Sequence, residues 1–252
     1  MDGRNQQIKK WLIFALVSGI ILFSALGIDD SGLSYFSLSS AAGIWKGLSR
    51  PDWGFVYDGS GEDLAGLLLM TLGIAFLGTA LATVCALPLT FLSIRIPKAG
   101  KLVCNILRAF PELVYAIIFV KMVGPGPFAG ALAIGVHQIG MLGKLFTDEY
   151  EAMDKEPSGA MTAAGANFWQ TMFFADIPQL MPVYSSLSLN HFEIAVRSAT
   201  TLGIVGAGGI GAPLIFAIQG RNWDKVSIIL IGIIFTVFCI DMLAGEIRKK
   251  LR

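Results

Sequence analysis

Residues 148–178 read DEYEAMDKEPSGAMTAAGANFWQTMFFADIP, the one long charged and amphipathic interruption in a chain otherwise built of apolar runs. Six of the eighteen acids fall here (Asp148, Glu149, Glu151, Asp154, Glu156 and Asp176), together with Lys155. Gly159-Ala160-Met161 is followed after three residues by Gly165, and Ile177-Pro178 comes eleven residues later. That order predicts a short helix, a turn at Gly165, and a second short helix that Pro178 ends. Gly reaches backbone angles closed to other residues, and Pro blocks continuation of a helix. The small side chains of Ala160, Ala163 and Ala166 permit close approach by another molecule. Such a knob is either a solvated connector between membrane spans or a handle for a soluble partner.

The composition around it is that of a polytopic membrane protein. The 252 residues are 54% hydrophobic and 15% charged, against a usual charged share of about 25%. The 29 glycines let membrane helices approach closely. A formal net charge of +1 advertises no basic surface for nucleic acid. Cys85, Cys104 and Cys239 lie in apolar runs without pairing or ligand spacing, and His137 and His191 are isolated, so no metal is expected.

A spanning helix needs about 20 apolar residues. Six such runs are present, which makes the expected fold an all-α membrane protein of about six transmembrane helices. They cover approximately 11–28, 64–87, 102–123, 128–146, 179–202 and 226–244. Residues 1–63 read as an N-terminal anchor with an extracytoplasmic segment, and 64–252 as the transmembrane domain proper. The first run also has the basic start of a signal peptide, but it exceeds the usual signal core and reads as an uncleaved anchor. Aromatic residues of the following segment (Tyr35, Phe36, Trp45, Trp53, Phe55, Tyr57) suit a membrane interface. Pro88 is expected to end or bend the second span.

Lys and Arg set the orientation. With the N-terminus inside, twelve are cytoplasmic: Arg4, Lys9, Lys10, Arg95, Lys98, Lys101, Lys144, Lys155, Arg248, Lys249, Lys250 and Arg252. Five lie outside (Lys46, Arg50, Lys121, Arg221, Lys225), while Arg108 and Arg197 fall within spans. Both termini and the 148–178 loop are therefore expected on the cytoplasmic side.

Gly206-Ala-Gly208-Gly209-Ile-Gly211 matches a dinucleotide-binding string, but it follows a membrane span with no strand pattern before it. A reentrant or gating turn is the better reading, since irregular backbone at membrane depth survives where it is buried or lines a cavity. No phosphate-binding loop and no catalytic constellation is recognisable, so the chain is not expected to hydrolyse ATP itself. Ionisable groups inside spans cost about 2.5–3.5 kcal/mol each on insertion scales and normally face protein or water. Glu193 and Arg197 share an i, i+4 face, as do Arg108 and Glu112 across Pro111. These pairs either brace helices or line a path, and His137, Gln138, His191 and Thr200 are further candidates for that lining.

The most specific strings are Arg108-Ala-Phe-Pro-Glu112-Leu-Val-Tyr, Gly124-Pro-Gly-Pro-Phe-Ala-Gly130, His137-Gln-Ile-Gly-Met-Leu-Gly-Lys144, and Phe192-Glu-Ile-Ala-Val-Arg197-Ser-Ala-Thr-Thr-Leu-Gly203 running on to Gly211. Over residues 64–252 they resemble, in order, the permease subunit of phosphonate ABC importers. The 148–178 spacing resembles the cytoplasmic loop motif of ABC-importer permeases, with Gly159 standing where that motif has Glu. The resemblance implies a type I importer fold in a bacterial cell (inner) membrane, with Gly159, Ala160, Ala163, Gly165, Ala166, Ile177 and Pro178 forming the ATPase-coupling loop. It implies a second copy of the chain, two ABC ATPases carrying ATP and Mg, surrounding membrane lipid, and an extracytoplasmic phosphonate-type solute-binding protein. Phosphonate, phosphite or hypophosphite would be the cargo. A secondary transporter or channel for a small anion, an ABC permease for another solute such as methionine, and a membrane-embedded enzyme are the competing readings.

Overall fold

Asp63 starts the longest helix of the protein by accepting from Gly66 N at 2.8 Å, satisfying one of the donors that a helix N-terminus leaves free. The computed structural model describes residues 2–27, 38–57, 59 and 61–251. They form two units, divided after Lys46. The first contains α1 (Asp2–Gly27) and most of α2 (Leu38–Leu48). The side chains of α1 from Trp11 to Phe23 are largely exposed, as an apolar helix facing lipid would be. Tyr35 and Phe36 lie outside the described residues.

The second unit is helical, with no strand among the described residues. In order come α3 (Leu64–Arg95), α4 (Pro97–Ala109), α5 (Glu112–Val123), α6 (Pro127–Ala152), α7 (Glu156–Ala163), α8 (Phe168–Thr171), α9 (Ile177–Leu202), α10 (Gly211–Gln219) and α11 (Trp223–Leu251). Among the described residues, α3, α6 and α11 are long and apolar enough to cross a membrane, and α4 with α5 makes a bent fourth candidate. The 26-residue α9 covers the run expected at 179–202 but carries more polar groups and is not among them, so where six spans were expected the described residues show three, or four with the bent pair.

α6 is the hub, packing on α3 most extensively and also on α4, α5 and α9. Small residues make this possible. A Cβ added at Gly78 on α3 would stand 2.8 Å from the Ile134 side chain of α6, and one at Gly140 would stand 2.8 Å from the Cys104 carbonyl of α4. Ile74, Ala75, Ala133, Ile134, Ala195 and Val196 form the main core between these helices, each no more than 2% exposed. A second cluster joins Leu64 and Ile210 to Ile228 and Ile229 of α11.

One sequence expectation is narrowed here, from ending or bending at Pro88, and another is corrected. α3 does not stop at Pro88 but runs through it to Arg95. Proline is tolerated inside membrane helices because neighbouring groups re-satisfy the backbone; the Thr90 hydroxyl bonds the Ala86 carbonyl at 2.8 Å nearby. The run at 102–123 is not one straight span, since α4 and α5 meet at an 80° bend. Phe110, the residue before proline, is extended (φ −84, ψ 133), as the clash with the proline ring requires.

Candidate functional site

The polar loop is a structured hairpin of short helices. Helix α7 ends in a left-handed Gly165 at φ +88. The Ala166 N–H reaches back to the Met161 carbonyl at 3.0 Å and Gly165 N–H to Thr162 at 3.0 Å, the two bonds of a Schellman cap. Asn167 then opens α8 by a capping box with Gln170, their reciprocal bonds measuring 2.8 and 2.9 Å. The expected turn at Gly165 is therefore present. Pro178 does not end the second short helix: the chain winds on through a π turn (Met172–Asp176) into α9. Pro178 falls in the first turn of α9, where its missing N–H is least costly.

Side chains pin this hairpin to the bundle. Ser158 Oγ donates to the buried Asp176 carboxylate at 2.5 Å, joining α7 to the π turn. Trp169 stacks on Phe91 of α3 with centroids 6.0 Å apart, and the Arg95 guanidinium lies 3.8 Å from the Phe168 ring. Gly159, Ala160, Ala163 and Gly165 stay exposed, Ala166 and Ile177 half-buried, and Pro178 exposed. Met161, Ala164, Gly165, Ala166, Gln170 and Phe174 border an open groove of about 370 Å³. A Cβ at Gly159 would meet nothing within 4 Å, so the position has room for the side chain it lacks.

The intramembrane charges are arranged differently from the sequence expectation. Glu193 and Arg197 do not pair along α9; each is taken by α11. Arg248 Nη2 stands 2.7 Å from Glu193 Oε1, and its Nη1 stands 3.5 Å from Asn190 Oδ1. Arg197 Nη1 stands 3.5 Å from Asp241 Oδ1. The antiparallel packing of α9 on α11 supplies opposite charges at closer reach than the helix's own next turn. Arg108 and Glu112 also stay apart. They flank the 80° bend, so i, i+4 spacing no longer places them on one face, and no ion pair joins them among the described residues.

Gln138 Nε2 donates to the His191 carbonyl at 3.0 Å, and both residues are buried. His137 faces the Tyr115 ring at 6.3 Å, and Glu112 lies near His137 and Ser198. Thr200 Oγ1 is turned back on the Arg197 carbonyl at 2.6 Å. Glu112, His137, Gln138 and His191 thus gather between α5, α6 and α9, while Arg108 sits apart and exposed at the end of α4. Asp241, Arg248, Asn190 and Ser198 were missed in the sequence. Asp241 carried a legible signal, a lone acid inside the apolar run 226–244.

The Gly-rich string is a buried turn joining α9 to α10. Gly206, Gly208 and Gly209 take positive φ (83, 82 and 75), while Gly211 is the first residue of α10. Gly206 accepts from Gly126 N at 2.9 Å, and Ile210 N donates to Thr71 Oγ1 at 3.0 Å. A Cβ at Gly208 would come 2.7 Å from Pro127 N, and one at Gly211 would strike the Thr200 carbonyl. The turn therefore locks the 124–127 loop, α3 and α9 together.

This arrangement of helices has solved counterparts. It superposes on an amino acid ABC transporter with a TM-score of 0.64 at 18% identity, covering 74% of this chain and 93% of that one. An inward-facing MetNI methionine ABC transporter gives 0.66 at 18% identity, covering 73% and 94%. At that identity the likeness carries the fold alone. The family model for the binding-protein-dependent transport system inner membrane component matches residues 75–252.

The chain belongs to that family.

The permease is accordingly the membrane subunit of an ABC importer, not an enzyme, with type I architecture and several membrane passes. That architecture implies an ATPase and a solute-binding protein as partners. The phosphite transport system permease protein PtxC of Stutzerimonas stutzeri is 33% identical over 94% of this chain and 88% of its own. The phosphate-import permease protein PhnE of Mycolicibacterium smegmatis is 36% identical over 93% of this permease and 44% of its own length. The cryptic phosphonate transport system permease protein PhnE2 of Escherichia coli, a putative assignment in its name, is 41% identical over 47% of this permease and 97% of its own.

Proposed function

We propose that this permease passes a phosphorus oxyanion (phosphonate, phosphite or a close relative) across a bacterial inner membrane by alternating access. The observation that carries the reading is the similarity to the phosphite permease over nearly the full length of both chains. A phosphorus oxyanion is compatible with the cation at Arg197 and with the polar groups gathered around His137 and His191.

In this reading two copies of the chain form the transmembrane unit, with both termini and residues 148–178 on the cytoplasmic side, as the twelve-to-five bias of Lys and Arg supports. ATP and Mg reside on the partner ATPase, and this chain binds no cofactor. The largely exposed surface from Ala160 to Gly165, with the half-buried Ala166 at its edge, is stiffened by the Schellman cap and the capping box, docks on that ATPase and transmits its motion. The buried turn at Gly206–Gly211 holds α9 in register while the path opens and closes.

The test is reconstitution of the permease with its ATPase and binding protein in proteoliposomes. ATP-dependent uptake of phosphite or methylphosphonate, absent without the binding protein, is the expected result. Uptake of methionine or glycine betaine with no uptake of a phosphorus oxyanion overturns the substrate assignment.

A further inference from the structure

We propose that Asp241 is an internal stand-in for the anionic substrate on Arg197, a positioning residue that keeps the path's cation occupied between substrates and displaces the departing anion. The inference rests on the proposed passage of a phosphorus oxyanion.

Two neighbouring ion pairs join α9 to α11, and they differ in kind. Glu193 is 8% exposed in its side chain and lies 2.7 Å from Arg248, a closed contact at the end of α11. Arg197 and Asp241 are separated by 3.5 Å and remain 50% and 45% exposed. Asp241 Oδ1 and Glu193 Oε1 are both sealed from solvent without a hydrogen bond, so the difference between the pairs lies in separation and side-chain exposure. Charges placed inside apolar helices usually close fully on their partner or face a wet cavity, because a bare charge in hydrocarbon is costly. In the proposed path this longer, half-exposed pair is the one that faces the passing substrate, and its partner is exchangeable.

The chemistry of the exchange is simple. A guanidinium presents a planar fork of donors that matches two oxygens of a tetrahedral oxyanion as well as it matches a carboxylate. Asp241 and the substrate therefore compete for the same donors. The competition prevents a tight anion complex, and a transporter needs that, because an anion held too firmly is not released. Arg197 stands six residues before Gly203, where the chain leaves α9 for the buried glycine turn, so the exchange sits beside the segment that fixes the end of α9.

The experiment measures radiolabelled phosphite uptake into proteoliposomes holding the permease, ATPase and binding protein, with unlabelled phosphite preloaded on the ATP side. Asp241→Asn is expected to lower the preloaded concentration that halves uptake about fivefold or more, and to lower maximal uptake. Arg197→Gln is expected to abolish the preloading effect, and Asp241→Glu to keep wild-type behaviour. A brace with no contact to substrate predicts something else. Both neutral variants would then lose assembled complex alike, with the half-inhibiting concentration unchanged in the complex that remains, and that result overturns the inference alone. Wild-type proteoliposomes that take up no phosphorus oxyanion overturn the substrate assignment and this inference together.

Discussion

Arg248, three residues before the end of α11, meets Glu193 in the middle of α9. The C-terminal helix therefore stops alongside the midpoint of its neighbour. The first half of α9, with α7 and α8 leading into it, extends past that end. A projecting base is what a loop needs if it is to reach a partner beyond the membrane surface.

Removing the cation from this pair leaves a carboxylate that is 8% exposed without its counter-charge. Arg248→Ala is expected to destabilise the purified permease by about 1–3 kcal/mol, the usual cost of stranding a buried polar group. Thermal unfolding in detergent measures it. Adding Glu193→Gln to Arg248→Ala is expected to recover most of the loss, because no charge is then stranded. A double variant as unstable as the single one would mean that Arg248 acts through packing.

Gly165 and Gly159 make opposite predictions within one loop. At φ +88 a β-branched residue is strained by roughly 1–3 kcal/mol, although an added Cβ meets nothing nearby. Gly165→Val is expected to leave membrane insertion intact and to reduce co-purification of the ATPase, or uptake per ATP hydrolysed. Gly159→Glu has open space and replaces a poor helix former, so α7 gains stability by about 0.5–1 kcal/mol. ATPase retention and uptake per ATP both equal to wild type in Gly165→Val would remove the coupling role from this turn.

The glycine turn is structural in the first instance. Gly208→Ala places a methyl 2.7 Å from Pro127 N on a backbone already at φ +82, so neither side has slack. A large fall in folded yield is expected, read by size-exclusion chromatography. Thr71→Val is the milder test: it strands the buried Ile210 N–H and is expected to cost about 1–3 kcal/mol. Unchanged melting in Thr71→Val would show that water replaces the hydroxyl.

Nucleotide belongs to the partner. The Gly206–Gly211 string is expected to bind neither NAD nor ATP, because its glycines face Pro127, Thr71 and Thr200. Equilibrium dialysis of the purified permease checks this. Stoichiometric nucleotide retained by the purified wild-type permease would reverse the assignment.

The apolar runs of α3, α6 and α11, the charged loop and the turn at Gly165 were legible in the chain because each is a local property: run length, charge density, and a glycine between two short helical stretches. The strings around Arg108, His137 and Arg197 were also enough to suggest the family. What the chain alone could not decide was who pairs with whom. The i, i+4 rule placed Glu193 with Arg197, but the antiparallel approach of α11 brought Arg248 and Asp241 closer. The bend at Pro111 parted Arg108 from Glu112, and the packing of α3 on α6 carried a helix through Pro88. Pairing energies depend on distances between segments far apart in sequence, and those distances exist only once the helices have packed.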